Sequence, residues 1–237
     1  MNRAEKAELQ LQAVRVLRAL KRSRTYDELA EETGLSAGDL NRYVNGHVLP
    51  GADRASAIVA SAGRSLVERE LESRVAVDDE GYVDTTAAVF DPGLLSLIAP
   101  VVTEEQEFVA PDVVLTAATD GITLAAAFAR HFDATCAYAK KTRETAVEEF
   151  FEARERLASG IELTYYLPET ALSSGDTVLV VDDLIRSGET QGLLLDLAET
   201  AGADVAGVFV LIAAGEEGLS RARDRVDAPV AALTTVE

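Results

Sequence analysis

The segment VLVVDDLIRSGET, residues 178–190, carries four aliphatic residues into two adjacent carboxylates and then into a short polar loop. A run such as VLVV, apolar on both faces, reads as a central strand of a parallel sheet. Asp182 and Asp183 then stand at that strand's carboxyl end, where open parallel sheets bind their ligands. Two ionised carboxylates are costly to bury, so solvent or ligand hydroxyls must meet them. Arg186, Ser187, Gly188, Glu189 and Thr190 lead into a predicted helix whose free backbone N–H groups and positive dipole end attract an anion. Ser187 and Thr190 add hydroxyl donors. The stretch therefore suits a polyhydroxylated group carrying a phosphate, and a sugar phosphate has that shape.

Working outward, strands alternate with helices from about residue 76. The pattern predicts strands near 82–86, 113–117, 135–139, 162–166, 177–182, 205–213 and 229–234, and helices near 92–101, 121–131, 189–201 and 216–225. VVLTAA followed by GITLAAAFARHF repeats the strand–loop–helix unit seen at 178–190, so residues 75–237 read as an α/β domain with a parallel sheet. The opening MNRAEKAELQ is charged, unlike a signal peptide, and no apolar run reaches the roughly 18–20 residues of a membrane helix. We therefore expect a soluble, cytoplasmic protein. A single cysteine, Cys136, excludes an internal disulfide and a cysteine-based metal site, and the two histidines, His47 and His131, make a histidine metal cluster equally unexpected.

Residues 1–74 read as a separate all-α domain with its own charge balance. They carry 12 Lys+Arg against 11 Asp+Glu, leaving 10 against 30 for residues 75–237, so one end has been spared the acidity, as a polyanion-binding end requires. Leu9, Ala13, Val16, Leu17 and Leu20 form one stripe of an opening helix, with Lys21, Arg22 and Arg24 at its C-terminal end. Leu29, Ala30, Gly34, Leu35, Leu40, Tyr43 and Val44 follow at the spacing of two helices joined by a tight turn, with Ser36 and Asp39 predicted as a capping box. This spacing resembles the helix-turn-helix of the phage-repressor type. The resemblance implies a recognition helix contacting double-stranded DNA through Ser36, Ala37, Gly38, Asn41, Arg42 and Asn45. A helical hairpin used only for dimer packing is the alternative. The overall acidity, 22 Lys+Arg against 41 Asp+Glu with only four lysines, suits concentrated salt and suggests a salt-loving, haloarchaeal host.

Residues 178–190 resemble the phosphoribosyl pyrophosphate motif of type I phosphoribosyltransferases throughout their length. The resemblance implies that Asp182 and Asp183 accept hydrogen bonds from ribose hydroxyls, while Arg186, Ser187, Gly188, Glu189 and Thr190 clasp the 5-phosphate. LTAATDGITLAAAFA, residues 115–129, is similar to the family's pyrophosphate loop, with Thr119, Asp120 and Gly121 at its turn. AYAKK, residues 137–141, is similar to the strand that ends in a lysine, here Lys140, before a flexible catalytic loop. The match looks nearest to orotate phosphoribosyltransferases. Three departures point away from catalysis: Asp120 faces an anion, residues 142–160 hold five glutamates and no lysine, and Ala213-Ala214-Gly215 stands where orotate enzymes tend to carry Asp-Arg. The two domains together resemble haloarchaeal regulators that join a helix-turn-helix to an orotate phosphoribosyltransferase-like domain. That resemblance implies a homodimeric or larger regulator of sugar-catabolic genes, bound to promoter DNA and sensing a phosphorylated metabolite, with Mg2+ as a possible companion of the ligand. An active phosphoribosyltransferase with an appended helix-turn-helix is the competing expectation, and an oligomerisation module on an inert scaffold is a third.

Overall fold

The computed structural model describes residues 1–106, 108–156, 160 and 162–236. Two compact units divide the chain: Met1–Ser73 with Ser96–Glu105, and Arg74–Leu95 with Gln106–Glu237. The first unit thus also takes in residues 96–105, which the sequence reading assigns to the second. No helix among the described residues is long and apolar enough to cross a membrane.

The first unit is helical. Helix α1 (Arg3–Lys21) starts at a capping box, in which Asn2 accepts from the Glu5 N–H and Glu5 accepts from the Asn2 N–H. Its buried stripe is Ala13, Val16, Leu17 and Leu20. Helix α2 (Tyr26–Thr33) has the same device in Thr25 and Glu28 and ends at Gly34, where the chain turns through φ +68°. Helix α3 (Ala37–Val44) buries Leu40 and Tyr43. The box predicted from Ser36 and Asp39 is only half formed: Ser36 Oγ accepts from the Asp39 N–H at 3.1 Å, but the Asp39 carboxylate does not return the bond. Aspartate is one methylene shorter than the glutamates of the other two boxes, and this one faces Arg54 at 3.9 Å. Helix α4 (Ala52–Ile58) passes through a π-helical turn, Val59–Gly63, into α5 (Arg64–Glu72).

The second unit opens with a short antiparallel pair, β1 (Ala76–Val77) and β2 (Val83–Asp84). The strand predicted over 82–86 is therefore cut to two residues, because Thr85 turns the chain into α6 (Thr86–Val89). Helix α7 (Pro92–Glu105) begins here, and its residues from Ser96 on belong to the first unit. Strand β3 (Val113–Ala117), helix α8 (Gly121–Phe132) and strand β4 (Thr135–Ala139) come next. An antiparallel ribbon is formed by β5 (Phe150–Arg156) and β6 (Glu162–Pro168). Strand β7 (Thr177–Ile185), helix α9 (Glu189–Ala201), strand β8 (Asp204–Ala214), helix α10 (Glu217–Arg223) and strand β9 (Val230–Val236) complete the chain. Residues 150–156 correct the sequence reading, which treats 142–160 as one flexible loop; residues 157–159 lie outside the described ones.

The parallel sheet has the order β4-β3-β7-β8-β9, so VLVV of β7 is central and buried on both faces. Val178 and Val180 join α9's Leu193, Leu194 and Leu197 in one core cluster, each buried aliphatic contributing roughly 1.5–3 kcal/mol. Phe128 of α8 packs on Phe209 of β8, with ring centroids 4.9 Å apart. The strands of this parallel sheet end on the same edge, and the start of α8 comes against the end of β7 there.

Candidate ligand site at the carboxyl edge of the sheet

Strand β7 carries Asp182 and Asp183 to that edge, and the alternation of a strand separates their surroundings. Asp182 is 6% exposed. Its Oδ2 accepts from Gln191 Nε2 at 2.7 Å, and its Oδ1 accepts from the Asp183 N–H at 3.1 Å. Burial, and then the neighbouring Asp183 charge, push the Asp182 carboxyl well above the ordinary carboxylate range. Asp183 is half-buried and accepts from Thr85 Oγ1 at 2.6 Å. Burial raises its pKa, the Thr85 hydrogen bond opposes the rise, and the nearby Asp120 charge adds to it.

The β3 loop is pressed against this pair. A Cβ at Gly121, the first residue of α8, would lie 2.2 Å from Thr116 Oγ1 and 2.5 Å from Asp182 Oδ1. Only glycine lets the amino end of α8 come so close to the buried carboxyl. Thr119 and Asp120 are exposed beside it, and the Ala118–Thr119 peptide bond is cis. The loop after β7 is gripped from its other side by α10. A Cβ at Gly218 would sit 2.6 Å from the Arg186 carbonyl oxygen, while Gly188, at φ +78°, approaches the Gly218 carbonyl. The amino ends of α8 and α9 and the two carboxylates are thereby brought to one edge.

Several predicted residues take other places. The Arg186 guanidinium donates to the Gly81 carbonyl and lies 5.5 Å from the Tyr82 ring centroid, so it turns out of its own loop. Ser187 Oγ donates to Glu189. Lys140 pairs with Glu144, which raises its pKa, and lies over the Tyr138 ring on the edge of β4. Its neighbour Lys141 stands 5.9 Å from the Tyr165 ring centroid instead; burial raises the Tyr165 pKa, and the Thr190 side chain opposes the rise. Sequence reasoning missed Thr85, Gln191, Tyr165, Lys141 and Arg221. Arg221 of α10 reaches the Ser187 carbonyl at 3.5 Å and pairs with Glu155 of β5. Gln191 had a weak signal, a long amide among apolar residues in the first turn of α9; Thr85, 98 residues from Asp183, had none.

In the helical unit, Ser36, Gly38, Asn41, Arg42 and Asn45 are exposed and Ala37 is half-buried. Asn45 Nδ2 donates back to the Asn41 carbonyl at 2.8 Å and to its side-chain oxygen at 3.3 Å, which ties both amides together. Lys21 donates to the Arg24 carbonyl at 2.9 Å, and Arg24 pairs with Glu32 at 2.9 Å. Two of the three cations in the predicted basic cluster are thus engaged within the unit.

Comparison with known proteins matches residues 103–228 to the phosphoribosyl transferase domain. The chain is similar to the hypoxanthine/guanine phosphoribosyltransferase of Methanopyrus kandleri, 29% identical over 178 residues that cover 73% of this chain and 92% of that protein. It is 32% identical over 101 residues to a xanthine phosphoribosyltransferase of Staphylococcus aureus, covering 42% of this chain and 53%, about half, of that enzyme. Among solved structures, adenine phosphoribosyltransferase of Rhodothermus marinus shares the fold with a TM-score of 0.61 at 23% identity, covering 73% of this chain and 99% of that one. A Giardia lamblia relative complexed with 9-deazaadenine gives 0.61 at 16% identity, covering 73% and 98%. These relatives are purine enzymes by name, where the sequence reading leans towards orotate enzymes. With the matched segment spanning more than half of its length, this chain belongs to the phosphoribosyl transferase domain family and carries the type I fold.

Proposed function

We propose that the α/β unit binds a 5-phosphorylated ribose carrying pyrophosphate at C1, and transfers that ribose to a purine base. The observation that carries this reading is the convergence of Asp182 and Asp183 with the amino ends of α8 and α9. Ribose hydroxyls donate to the carboxylates, Asp183 being the more accessible. The 5-phosphate takes the N–H groups of residues 187–190, and the pyrophosphate takes those of the Thr119–Gly121 turn. In the transfer, the C1–O bond breaks with its electron pair leaving on pyrophosphate, the base nitrogen forms the C1–N bond, and the proton that nitrogen gives up passes to the departing pyrophosphate or to water. A Mg2+ bound with the ligand would be held mostly by the ligand's phosphates and would offset part of their charge. Asp120, exposed at the Thr119–Gly121 turn, opposes the leaving anion, so we expect slow turnover. The purine relatives support the choice of base. Pyrophosphate release from phosphoribosyl pyrophosphate should be detectable with hypoxanthine, guanine, xanthine or adenine and lost in Asp183→Asn; release with orotate alone, or with none of these, overturns the proposal.

The helical unit favours a second reading, a DNA-binding regulator whose α/β unit senses the same ligand. Its support is the pair α2 and α3, joined at Gly34, with Asn41 and Arg42 exposed on α3. At the high salt that the acidic composition suits, base-edge contacts carry more of the binding than phosphate contacts do. Retention of a promoter fragment, weakened by Arg42→Ala and altered by phosphoribosyl pyrophosphate, supports this reading; retention indifferent to Arg42→Ala removes it.

A further inference from the structure

Residues Arg74–Leu95 belong to the α/β unit, yet they are bounded in sequence on both sides by the helical unit, which stops at Ser73 and resumes at Ser96. The middle of this segment is fastened to the candidate ligand site at two points. Thr85, 6% exposed, donates its hydroxyl to Asp183. Gly81 accepts from the Arg186 guanidinium, which also stacks near Tyr82. One acceptor suited to ribose hydroxyls and the cation of the phosphate loop are thus committed to the same short stretch. Other holds lie outside it: Thr123 Oγ1 of α8 donates to the Val89 carbonyl at 2.9 Å, and Arg74 pairs with Asp91 at 3.1 Å. Tyr82 is 63% and Phe90 73% exposed, so the outer side of the segment is little covered.

We propose that this segment is a latch, fastened to the ligand site and opened as the ligand enters, an inference that rests on the site binding a 5-phosphorylated ribose. A phosphate competes well for Arg186, because a guanidinium can form two parallel N–H···O bonds to an anion in place of its single bond to the neutral Gly81 carbonyl. A ribose hydroxyl replaces the Thr85 hydroxyl on Asp183 with a bond of the same kind. Both fastenings open as the ligand enters, and residues 78–85 are freed while Val89 stays held. The coupling is reciprocal: whatever steadies the segment in its fastened state weakens ligand binding by the same factor.

Hydrogen–deuterium exchange on the full chain, with ribose 5-phosphate as probe and calorimetry reporting its binding, tests the latch. Amides of residues 78–85 should exchange about tenfold faster with the probe bound, the loss expected for a hydrogen bond to a charged group. Thr85→Val should show the faster exchange without any probe and bind the probe more tightly, by on the order of tenfold, while Thr85→Ser behaves as the native chain. Binding with unchanged or slower exchange overturns the latch and leaves the ligand reading intact. Weaker binding by Thr85→Val also overturns it, by showing that Thr85 positions Asp183 in the bound state. If neither the native chain nor Thr85→Val binds the probe, the ligand reading falls and the latch with it. Should Thr85→Val fail to fold, the exchange measurement on the native chain decides.

Discussion

Asp182 and Asp183 look like a matched pair in the sequence, yet one is buried on Gln191 and the other is held by Thr85 at the edge. Motif spacing could locate both carboxylates, but not their partners, because Thr85 is brought in by tertiary folding alone. The difference has a measurable consequence. The raised Asp182 pKa means that the folded chain keeps a proton which the unfolded chain releases near 3.8. From there up to the raised folded value the unfolded state binds fewer protons, so this group makes stability fall as pH rises and then level off. Asp182→Asn lacks that component, and its urea midpoint should decline less than the native midpoint over the same interval; parallel declines would assign the titration to other groups. Gly121 offers a second test at this scale. Gly121→Ala forces a methyl to within 2.5 Å of Asp182 Oδ1, and overpacking of this kind costs about 1–3 kcal/mol. Denaturant titration should show that loss, accompanied by weaker binding of ribose 5-phosphate. A neutral result would mean that α8 can withdraw from the carboxyl freely.

At the level of elements, legibility followed hydrophobic pattern. β3 and β7 are continuous apolar runs feeding glycine-started helices, and both were readable with the loops that follow them. β5 was not, since FFEARER offers two aromatics and then alternating charge, a pattern that a solvated loop shares. Its strand conformation comes from pairing with β6, and Arg143 stacking on Phe150 and Tyr166 covers the aromatic end. Helix α10 is predicted as an element, but nothing in its sequence announces that it grips the loop after β7. Gly218 and Arg221 do so together, the one by backbone proximity and the other through the Ser187 carbonyl. Gly218→Ala should therefore shift the loop by the few tenths of an ångström or more that its 2.6 Å approach to the Arg186 oxygen demands. Ribose 5-phosphate affinity should drop by about tenfold, equivalent to one misplaced hydrogen bond, with far-ultraviolet dichroism unchanged. Unaltered affinity would detach α10 from the site.

Over the whole molecule, charge divides along the same line as structure. The helical unit holds 11 Lys+Arg and 13 Asp+Glu, the α/β unit 11 and 28. Self-repulsion among like charges destabilises a compact state, so the penalty falls mainly on the α/β unit. Raising the salt from 0.1 M to 1 M shortens the screening length from about 10 Å to about 3 Å, which removes most of that penalty. Salt also strengthens apolar burial by exclusion from the protein surface, and the two effects separate by shape: screening saturates near 1 M, whereas exclusion goes on growing with concentration. Calorimetric unfolding in graded KCl should show a transition that rises steeply up to about 1 M and then flattens. Any separate transition of the helical unit, whose charges nearly balance, should move little over the same range. A midpoint that climbs evenly to several molar would assign the salt response to exclusion, and a midpoint that does not move would show that the carboxylates are spaced widely enough to tolerate one another without screening.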